Sequence, residues 1–243
     1  MLTVLLVALT GCGGGDRAPG LSGTLRLFAS TSLTEAFTSM AHGFETSYPA
    51  VKVEVTFAPD SELAQRTAAG PAPDVLAVEG PAPLAAAGSL GPPVHFAANQ
   101  LVLAVPDANP KGVVRLTDIN RPDVRVALCT DTEPCGTVTA AVLTAAGVAP
   151  PATALRVPDV RSALTALSDG TVDAALVYRS DARLAGDAVT TVEFPESRAA
   201  LADHQAAVPA AATNPRAAAA FLAYLTSPPV LDALVNSGYQ PPL

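Results

Sequence analysis

The chain has 243 residues, of which 49% are hydrophobic and 15% are charged, and its formal net charge is -8 at pH 7. This length and apolar content are enough for one large domain or two small lobes with buried cores, and they exclude a disordered or collagen-like chain. Only two lysines, Lys52 and Lys111, are present, and no basic run exists. A nucleic-acid partner is excluded, because phosphate contacts need clustered Lys or Arg.

An apolar run over residues 1–10 ends at the motif Leu9-Thr10-Gly11-Cys12. Residues 1–12 resemble a bacterial lipoprotein signal, and residues 13–22 are predicted to form a flexible tether. We therefore expect Cys12 to become the lipidated first residue of the mature protein and to anchor it at the outer face of the cell membrane. The alternative is a short buried segment with an incidental cysteine, because the apolar run is short and no Lys or Arg precedes it.

Strands and helices are predicted to alternate from Gly23 onward, which is typical of a mainly parallel sheet covered by helices. Residues 24–29 are a predicted strand, and the following helix begins with Ser32 and Glu35 at the spacing of a capping box. Its apolar residues recur on one helical face: Leu33, Ala36, Phe37, Met40, Ala41 and Phe44. The unit then repeats in outline, with a strand at 51–57, a helix at 62–69 and a short buried strand at 74–78.

A comparable set of elements follows in the second half of the chain. Strands are predicted at 101–105, 124–128, 154–157 and 174–178, and helices at 137–146, after Pro158-Asp159, at 215–226 and at 229–236. No sequence repeat with a fixed period accompanies these units, so a solenoid is not expected. The pattern predicts two similar α/β lobes.

Sheets of this kind bind ligands beyond the carboxyl ends of their strands, where the helices begin. Four such junctions, at Ser32, Ser61, Cys135 and Val160, are expected to face one cleft. Each helix start offers unpaired N–H groups and the positive end of a helix dipole, so an anion can be held without a cationic side chain. Tyr178, at the end of an apolar strand, can add its phenol.

Structural roles for the same residues stay open at this point. Ser32 and Asp60 or Ser61 are residue types that any helix start prefers as an N-cap. Tyr178 has the alternative of a core residue with a satisfied hydroxyl, and Val160 shows nothing functional by residue type. The residues alone therefore predict a two-lobed α/β protein with an anion cleft as one interpretation.

Cys129 and Cys135 flank a short polar loop. In an oxidising compartment a disulfide can close this loop, and we favour that pairing. The alternative, half of a zinc site, has little support because His42, His95 and His204 are scattered along the chain and the cysteine spacing is not a usual ligand pair.

Six short segments match, in order, a known family: residues 24–37, 70–75, 99–106, 134–136, 159–164 and 176–182. Over residues 24–242 the chain resembles the molybdate-binding proteins of ABC transporters, members of the type II periplasmic binding protein superfamily. The resemblance implies a two-lobed fold, with lobe I formed by residues 23–99 plus 205–243 and lobe II by residues 100–204. It also implies a binding function without catalysis or a cofactor.

The implied ligand is molybdate, with tungstate as a near-identical dianion, and the implied partner is an ABC transporter permease. The implied ligand shell combines Ser32 and the Asp60-Ser61 turn of lobe I with Cys135, Val160 and Tyr178 of lobe II. Molybdenum is expected only as the bound oxyanion. We expect a monomer that meets the membrane only through its lipid anchor.

One departure from the family pattern concerns the charge of the cleft. Asp60 occupies the position of a liganding serine, and a carboxylate that faces a dianion in a dry cleft is strongly repulsive. Three solutions are open: Ser61 is the ligand, Asp60 turns outward as an N-cap, or the ligand carries a cationic group. The pattern after the third strand is also altered, to Val78-Glu79-Gly80.

Three other functions remain as alternatives. One is an orphan relative whose cleft holds a different small solute. A second is a secreted enzyme, although no Gly-x-Ser-x-Gly turn, metal-spaced histidines or phosphate loop occurs in the sequence. A third is a non-transporting adhesion or sensing lipoprotein.

Overall fold

A computed structural model describes residues 20–243 of the chain. The predicted signal at 1–12, its lipidation site Cys12 and most of the predicted tether at 13–22 lie outside the described residues. Ten strands lie within the described residues. They are β1 Gly23–Ser30, β2 Val51–Ala58, β3 Val75–Glu79, β4 Val94–Asn99, β5 Leu101–Pro106, β6 Val126–Cys129, β7 Leu155–Val157, β8 Ala174–Tyr178, β9 Val189–Val192 and β10 Ala202–Ala207.

Eight α-helices accompany the strands in the part of the chain from residue 20 onward. They are α1 Thr34–Ser47, α2 Asp60–Ala69, α3 Pro81–Ala86, α4 Pro134–Ala146, α5 Val160–Ser168, α6 Arg179–Ala185, α7 Pro215–Leu225 and α8 Pro228–Asn236. Short 3-10 turns lie between some of them, including one at Thr31–Leu33 that precedes α1.

The strands form two five-stranded sheets, in the orders β2-β1-β3-β10-β4 and β7-β6-β8-β5-β9. In each sheet four strands run in one direction and one runs against them, β10 in the first and β5 in the second. The sheets are therefore mainly parallel, as the alternation of strands and helices predicts. Each opposed strand begins just after the chain has crossed from the other sheet.

The first crossover lies between Asn99, the end of β4, and Leu101, the start of β5. The second lies between β9 and β10, and it returns the chain to the first sheet at Ala202. The boundary predicted between residues 204 and 205 falls inside β10. Buried polar side chains join the two halves here, with Asn99 Nδ2 donating to Ser180 Oγ at 2.7 Å.

Strand alternation determines which faces of the first sheet are buried. Leu25, Leu27 and Ala29 of β1 are fully buried on one face, where they pack with α1, α7 and α8. The opposite face carries a smaller core with α2 and α3, which includes Leu63 and Leu76. The second sheet has one continuous core of its own around β5, β6 and β8.

The start of α1 differs from the predicted capping box. The helix begins at Thr34 after the 3-10 turn, and no side chain caps it. Ser32 Oγ instead shares a hydrogen bond with Ser30 Oγ at 3.0 Å, and Glu35 pairs with Arg161 of the other lobe. The capping box is wrong because both side chains have partners outside the helix.

No single helix within residues 20–243 is long and apolar enough to cross a membrane; α7 and α8 reach that length and composition only as a pair bent by 58°. Both helices pack against the first sheet through side chains such as Phe221 and Leu234.

Candidate functional site

A small cavity lies between the two sheets, at the carboxyl ends of their parallel strands. Its volume is about 20 Å³, and the lobes touch each other around it. The first lobe supplies Ser30, Thr31, Ser32, Pro59, Asp60 and Glu79, and the second supplies Glu133, Pro134, Cys135, Pro158, Asp159, Val160 and Tyr178. The predicted junctions at Ser32, Cys135 and Val160 do converge, together with Asp60 and Tyr178.

Ser30 and Ser32 lie where β1 ends and the turn before α1 begins. Both are buried, and their hydroxyl groups are hydrogen-bonded to each other. The Ser32 carbonyl accepts a hydrogen bond of 2.9 Å from the hydroxyl of Tyr239, near the end of the chain. This contact holds the turn in place, so that the two serine hydroxyls face the cavity as neutral hydrogen-bonding groups.

Asp60 is the first residue of α2, and Pro59 occupies the N-cap position. The carboxylate does not cap its helix: Oδ2 accepts a hydrogen bond of 3.1 Å from the Glu79 backbone N–H, and Oδ1 is buried without a partner. Burial raises the pKa of the Asp60 carboxyl to about 7, although the Glu79 N–H and, less strongly, the nearby Ser30 hydroxyl favour the ionised form. The outward N-cap that we considered for Asp60 is therefore wrong.

Glu79 ends β3 and faces Tyr178, which ends β8 on the other lobe. Both side chains are buried, and the Tyr178 hydroxyl donates a hydrogen bond to Glu79 Oε1. Burial, and next the neighbouring Asp60 carboxylate, raise the pKa of Glu79 well above its ordinary value. The phenol at the end of β8 therefore already has a partner across the cleft, and Glu79 places a second carboxyl group in the cavity.

Ser61 lies outside the lining of the cavity, in contrast to the expectation for it. Its hydroxyl donates to Glu133 Oε1 across the lobes at 2.6 Å. Its side chain also lines a wider groove of about 470 Å³, which shares Glu79 and Pro134 with the cavity. A one-residue shift that makes Ser61 the ligand in place of Asp60 has no support in this geometry.

The second lobe contributes two helix starts. Cys135 and Val160 are buried in the first turns of α4 and α5, where backbone N–H groups have no partner within the helix. Cys129 and Cys135 are joined by a disulfide with Cα atoms 5.8 Å apart. Gly136 follows, and a side chain there would meet the Thr130 carbonyl oxygen at 1.9 Å, so only glycine permits this close turn.

The electrostatics of the cavity are acidic. Its lining contains Asp60, Glu79, Glu133 and Asp159, and no Lys or Arg of residues 20–243 belongs to it. A cation lies near its edge, where Arg161 of α5 pairs with Glu35 of α1 at 2.6 Å. The cavity therefore combines neutral hydrogen-bonding groups, which suit an oxyanion, with carboxyl groups, which oppose one.

Three carboxyl groups of this site carried no predicted role. Glu79 had a usable signal, since an ionisable residue that ends a buried strand is unusual, and its departure from the family pattern was visible. Glu133 lies in the cysteine loop and Asp159 at a predicted helix start, positions where an acidic residue is ordinary. Within the described residues, no group of three or more His, Cys, Asp or Glu side chains could hold a metal ion.

Comparison with known sequences gives matches over nearly the whole chain. The model of a family described as bacterial extracellular solute-binding protein matches residues 25–240. The molybdate-binding protein ModA of Mycobacterium bovis is 34% identical over 255 aligned residues, which cover all of this chain and 97% of that protein. The protein of the same name from Mycobacterium tuberculosis has the same identity and coverage.

Solved structures share the fold at lower identity. The periplasmic molybdate-binding protein of Azotobacter vinelandii aligns with a TM-score of 0.78 and 17% identity, over 90% of this chain and all of that one. The sulfate-binding protein SubI of Mycobacterium tuberculosis aligns with a TM-score of 0.75 and 17% identity, over 90% of this chain and 86% of that one. These two proteins have two-lobed folds of the same type as the one described above.

Proposed function

The chain belongs to the family of bacterial extracellular solute-binding proteins, and we propose that it captures a small oxyanion, molybdate or tungstate, for an ABC importer. The observation that carries this proposal is the convergence of helix starts from two lobes on one buried cavity. The relatives that are molybdate-binding proteins support it, because they match this chain over its whole length. In this proposal Ser32, Cys135 and Val160 supply neutral donors, and the lobes close over the anion by a hinge motion.

Neutral donors are strong enough for this task. A hydrogen bond to a charged acceptor contributes about 1.5–3 kcal/mol, so several of them can hold a dianion in a site without cations. The Tyr178 hydroxyl can join them only by leaving Glu79, its partner in the structure. Binding, and not catalysis, is the proposed activity, and the transporter permease is the proposed partner.

The binding test uses purified protein and thermal unfolding. A ligand at about 100 times its Kd stabilises the native state by about 2.7 kcal/mol, which for a chain of this size raises Tm by about 5 °C or more. Molybdate and tungstate are expected to produce this shift. Absence of a shift with molybdate, tungstate, sulfate and phosphate between pH 5 and pH 8.5 would remove the proposal.

A matched pair of variants assigns the binding to the cleft. Ser32→Ala removes a buried hydroxyl from the lining and is expected to weaken molybdate binding by roughly tenfold or more. Ser39→Ala changes an exposed serine of α1, the helix that follows Ser32, away from the cavity, and this variant is expected to bind as the unchanged protein does. Equal affinities of the two variants would place the oxyanion elsewhere.

A second candidate function is binding of an organic solute that carries an ammonium group. The acidic lining and the adjoining groove of about 470 Å³ favour it. Titration calorimetry with amino acids and other amine-bearing acids tests this candidate. Binding of such a solute in the absence of any oxyanion binding would replace molybdate as the ligand.

We also propose that the lipidated Cys12 holds the protein at the outer face of the cell membrane. The family supports a site of action outside the cytoplasm, and the motif at residues 9–12 supports the anchor. Cys12→Ala is expected to abolish incorporation of a labelled fatty acid and to release the protein into the medium or periplasm.

A further inference from the structure

Asp60 has an open carboxylate oxygen in the candidate cavity. Its side chain is 4% exposed and belongs to the cavity lining. Oδ2 accepts the Glu79 N–H, whereas Oδ1 has no hydrogen-bond partner among the described residues. A buried oxygen of this kind is costly unless a ligand or a proton satisfies it.

Asp74, just before β3 of the same lobe, shows what a purely structural buried aspartate looks like. It is 1% exposed, and its two oxygens together accept three hydrogen bonds. The donors are Arg26 N at 2.8 Å, Asn214 N at 2.7 Å and Thr213 Oγ1 at 3.1 Å. Asp60 has one such donor, the Glu79 N–H. The Ser30 hydroxyl lies near enough to favour the ionised carboxylate, but it makes no hydrogen bond to Oδ1, so this oxygen remains available to the cavity.

Apart from the Glu79 N–H and the Ser30 hydroxyl, the surroundings of Asp60 do not favour its negative charge. The other titratable groups that line the cavity are Glu79 of β3, Glu133 before α4, Asp159 before α5 and Tyr178 of β8. Behind them lie Asp181 of α6 and the Glu35–Arg161 ion pair at the edge. At a separation of about 4 Å, two like charges repel by about 4 kcal/mol even at an effective dielectric constant near 20. A dianion beside ionised Asp60 and Glu79 would meet this repulsion several times.

Resting on the proposed function, we propose that the cleft binds its oxyanion together with a proton, which lies between Asp60 Oδ1 and an oxygen of the ligand. With a fully deprotonated oxyanion such as molybdate, the proton comes from solvent and the neutral Asp60 carboxyl donates the hydrogen bond. With an oxyanion that carries its own proton, such as hydrogen phosphate, the carboxylate accepts it. Either arrangement satisfies Oδ1. In the first, the proton taken from solvent also removes one negative charge from the cavity.

This arrangement makes molybdate affinity depend on pH with a definite sign. Burial raises the pKa of Asp60 to about 7 in the free protein, and a bound dianion raises it further. Above about pH 7 the free carboxyl is ionised, so binding must take up one proton and affinity falls about tenfold for each pH unit. Below about pH 6 the carboxyl already holds its proton, and this contribution to the pH dependence disappears.

The test is titration calorimetry with sodium molybdate on the full folded domain at pH 6, 7 and 8. At pH 8, two buffers with different ionisation enthalpies count the protons that are taken up. Asp60→Asn keeps the size and hydrogen-bonding capacity of the side chain but cannot ionise. It is expected to bind at pH 8 about tenfold more tightly than the unchanged protein, with no proton uptake at residue 60, and to match it at pH 6.

Glu62→Gln is the matched control, because Glu62 lies on the same helix, is exposed and is paired with Arg66 outside the cavity. It is expected to keep the pH profile of the unchanged protein. Sodium phosphate supplies the second arm: hydrogen phosphate brings its own proton, so its binding is expected to take up less than one proton at pH 8.

Three results would overturn this proposal. One is a molybdate affinity of the unchanged protein that does not vary between pH 6 and pH 8. A second is a parallel pH profile in Asp60→Asn. A third is loss of binding in both Asp60→Asn and Asp60→Ser while circular dichroism and thermal unfolding report an intact fold, since an ionised carboxylate would then be required. Absence of oxyanion binding at every pH would instead remove the proposed function itself.

Discussion

The two lobes place the same dipeptide at the same point of their sheets and use it differently. In lobe I, Pro59 precedes α2 and Asp60 is its first residue. In lobe II, Pro158 and Asp159 both precede α5. Asp159 follows Asp60 by 99 residues, which is also the separation between the hydrogen-bonded residues Glu79 and Tyr178. The strand-to-helix junctions of the lobes are thus equivalent in position.

In lobe II the helix uses the aspartate itself. Asp159 is the N-cap of α5, and its Oδ1 accepts the Ser162 N–H at 2.7 Å. In lobe I the helix begins one residue earlier, at Asp60, whose carboxylate bonds to the Glu79 N–H instead. Both aspartates line the cavity. The comparison teaches that one residue of helix register separates a carboxylate that caps its helix from one that keeps an oxygen without a partner.

The largest effect that we expect to sharpen this comparison is a change in the free energy of unfolding of the variant Asp60→Asn. Burial raises the folded-state pKa of Asp60 from 3.8 to about 7, so the folded protein holds a proton that the unfolded chain releases between these two values. The stabilisation from this group is complete below about pH 4 and is lost as pH rises to about 7. Relative to the unchanged protein, Asp60→Asn should therefore gain up to about 4 kcal/mol at pH 8 and little at pH 4.

Urea unfolding at several pH values measures this difference, and Asp159→Asn is its control. Asn caps a helix about as well as Asp does, so the control should change the free energy of unfolding by less than about 0.5 kcal/mol. Equal pH dependence of the two variants would show that Asp60 and Asp159 are in equivalent environments, and the comparison between the lobes would break.

A smaller effect is expected from the disulfide, which exists on one side of the comparison only. Cys129 ends β6, and the residue at the equivalent point of lobe I is Ser30, which makes the hydrogen bond to Ser32. Closure of the short loop between Cys129 and Cys135, with a sequence separation of 6, contributes about 2 kcal/mol.

The double variant with alanine at both cysteines should lose that amount in urea unfolding. Ser30→Ala should lose only about 1 kcal/mol, the value of one hydrogen bond. A reducing agent should affect the unchanged protein and leave the double variant as it is. Similar losses in Ser30→Ala and in the double variant would contradict the assigned asymmetry.

The smallest effect concerns the Glu35–Arg161 pair that joins the lobes beside the cavity. Both side chains are 44% exposed, and exposed ion pairs contribute about 0–1 kcal/mol. Glu35→Gln should therefore weaken molybdate binding no more than about fivefold, mainly through faster dissociation as the closed lobes separate. The difference should shrink at high salt; stopped-flow dissociation at two salt concentrations measures it.

Much of the secondary structure was predictable because its signals are local. The strand at 174–178 has its predicted bounds, and the strands starting at 51 and 101 and the helix at 215 begin where expected. The start of α1 was not predictable, because the 3-10 turn at Thr31–Leu33 depends on the side chains that it faces. β4 and β10 also received no prediction: they run beside each other at the crossovers, and β10 buries His204 and Gln205, so polar residues mask its strand pattern.

In the candidate site, too, some features follow from local sequence and others depend on distant contacts. Positions at helix starts follow from local sequence, and three of the four predicted junctions, at Ser32, Cys135 and Val160, do line the cavity, whereas Ser61 does not. The partners of its side chains do not follow from it. Ser61 bonds to Glu133, 72 residues further on, and Tyr178 bonds to Glu79 from the other lobe.

By itself, the sequence determined the alternation of strands and helices, the resemblance to a binding-protein family and the set of helix starts available to an anion. Only the tertiary structure decided that Asp60 points inward, that Glu79 joins it and that no cation of the described chain accompanies them. The physical reason is that helix and strand propensities act over a few residues, whereas the protonation and pairing of a buried carboxyl depend on every group that folding brings within a few ångströms of it.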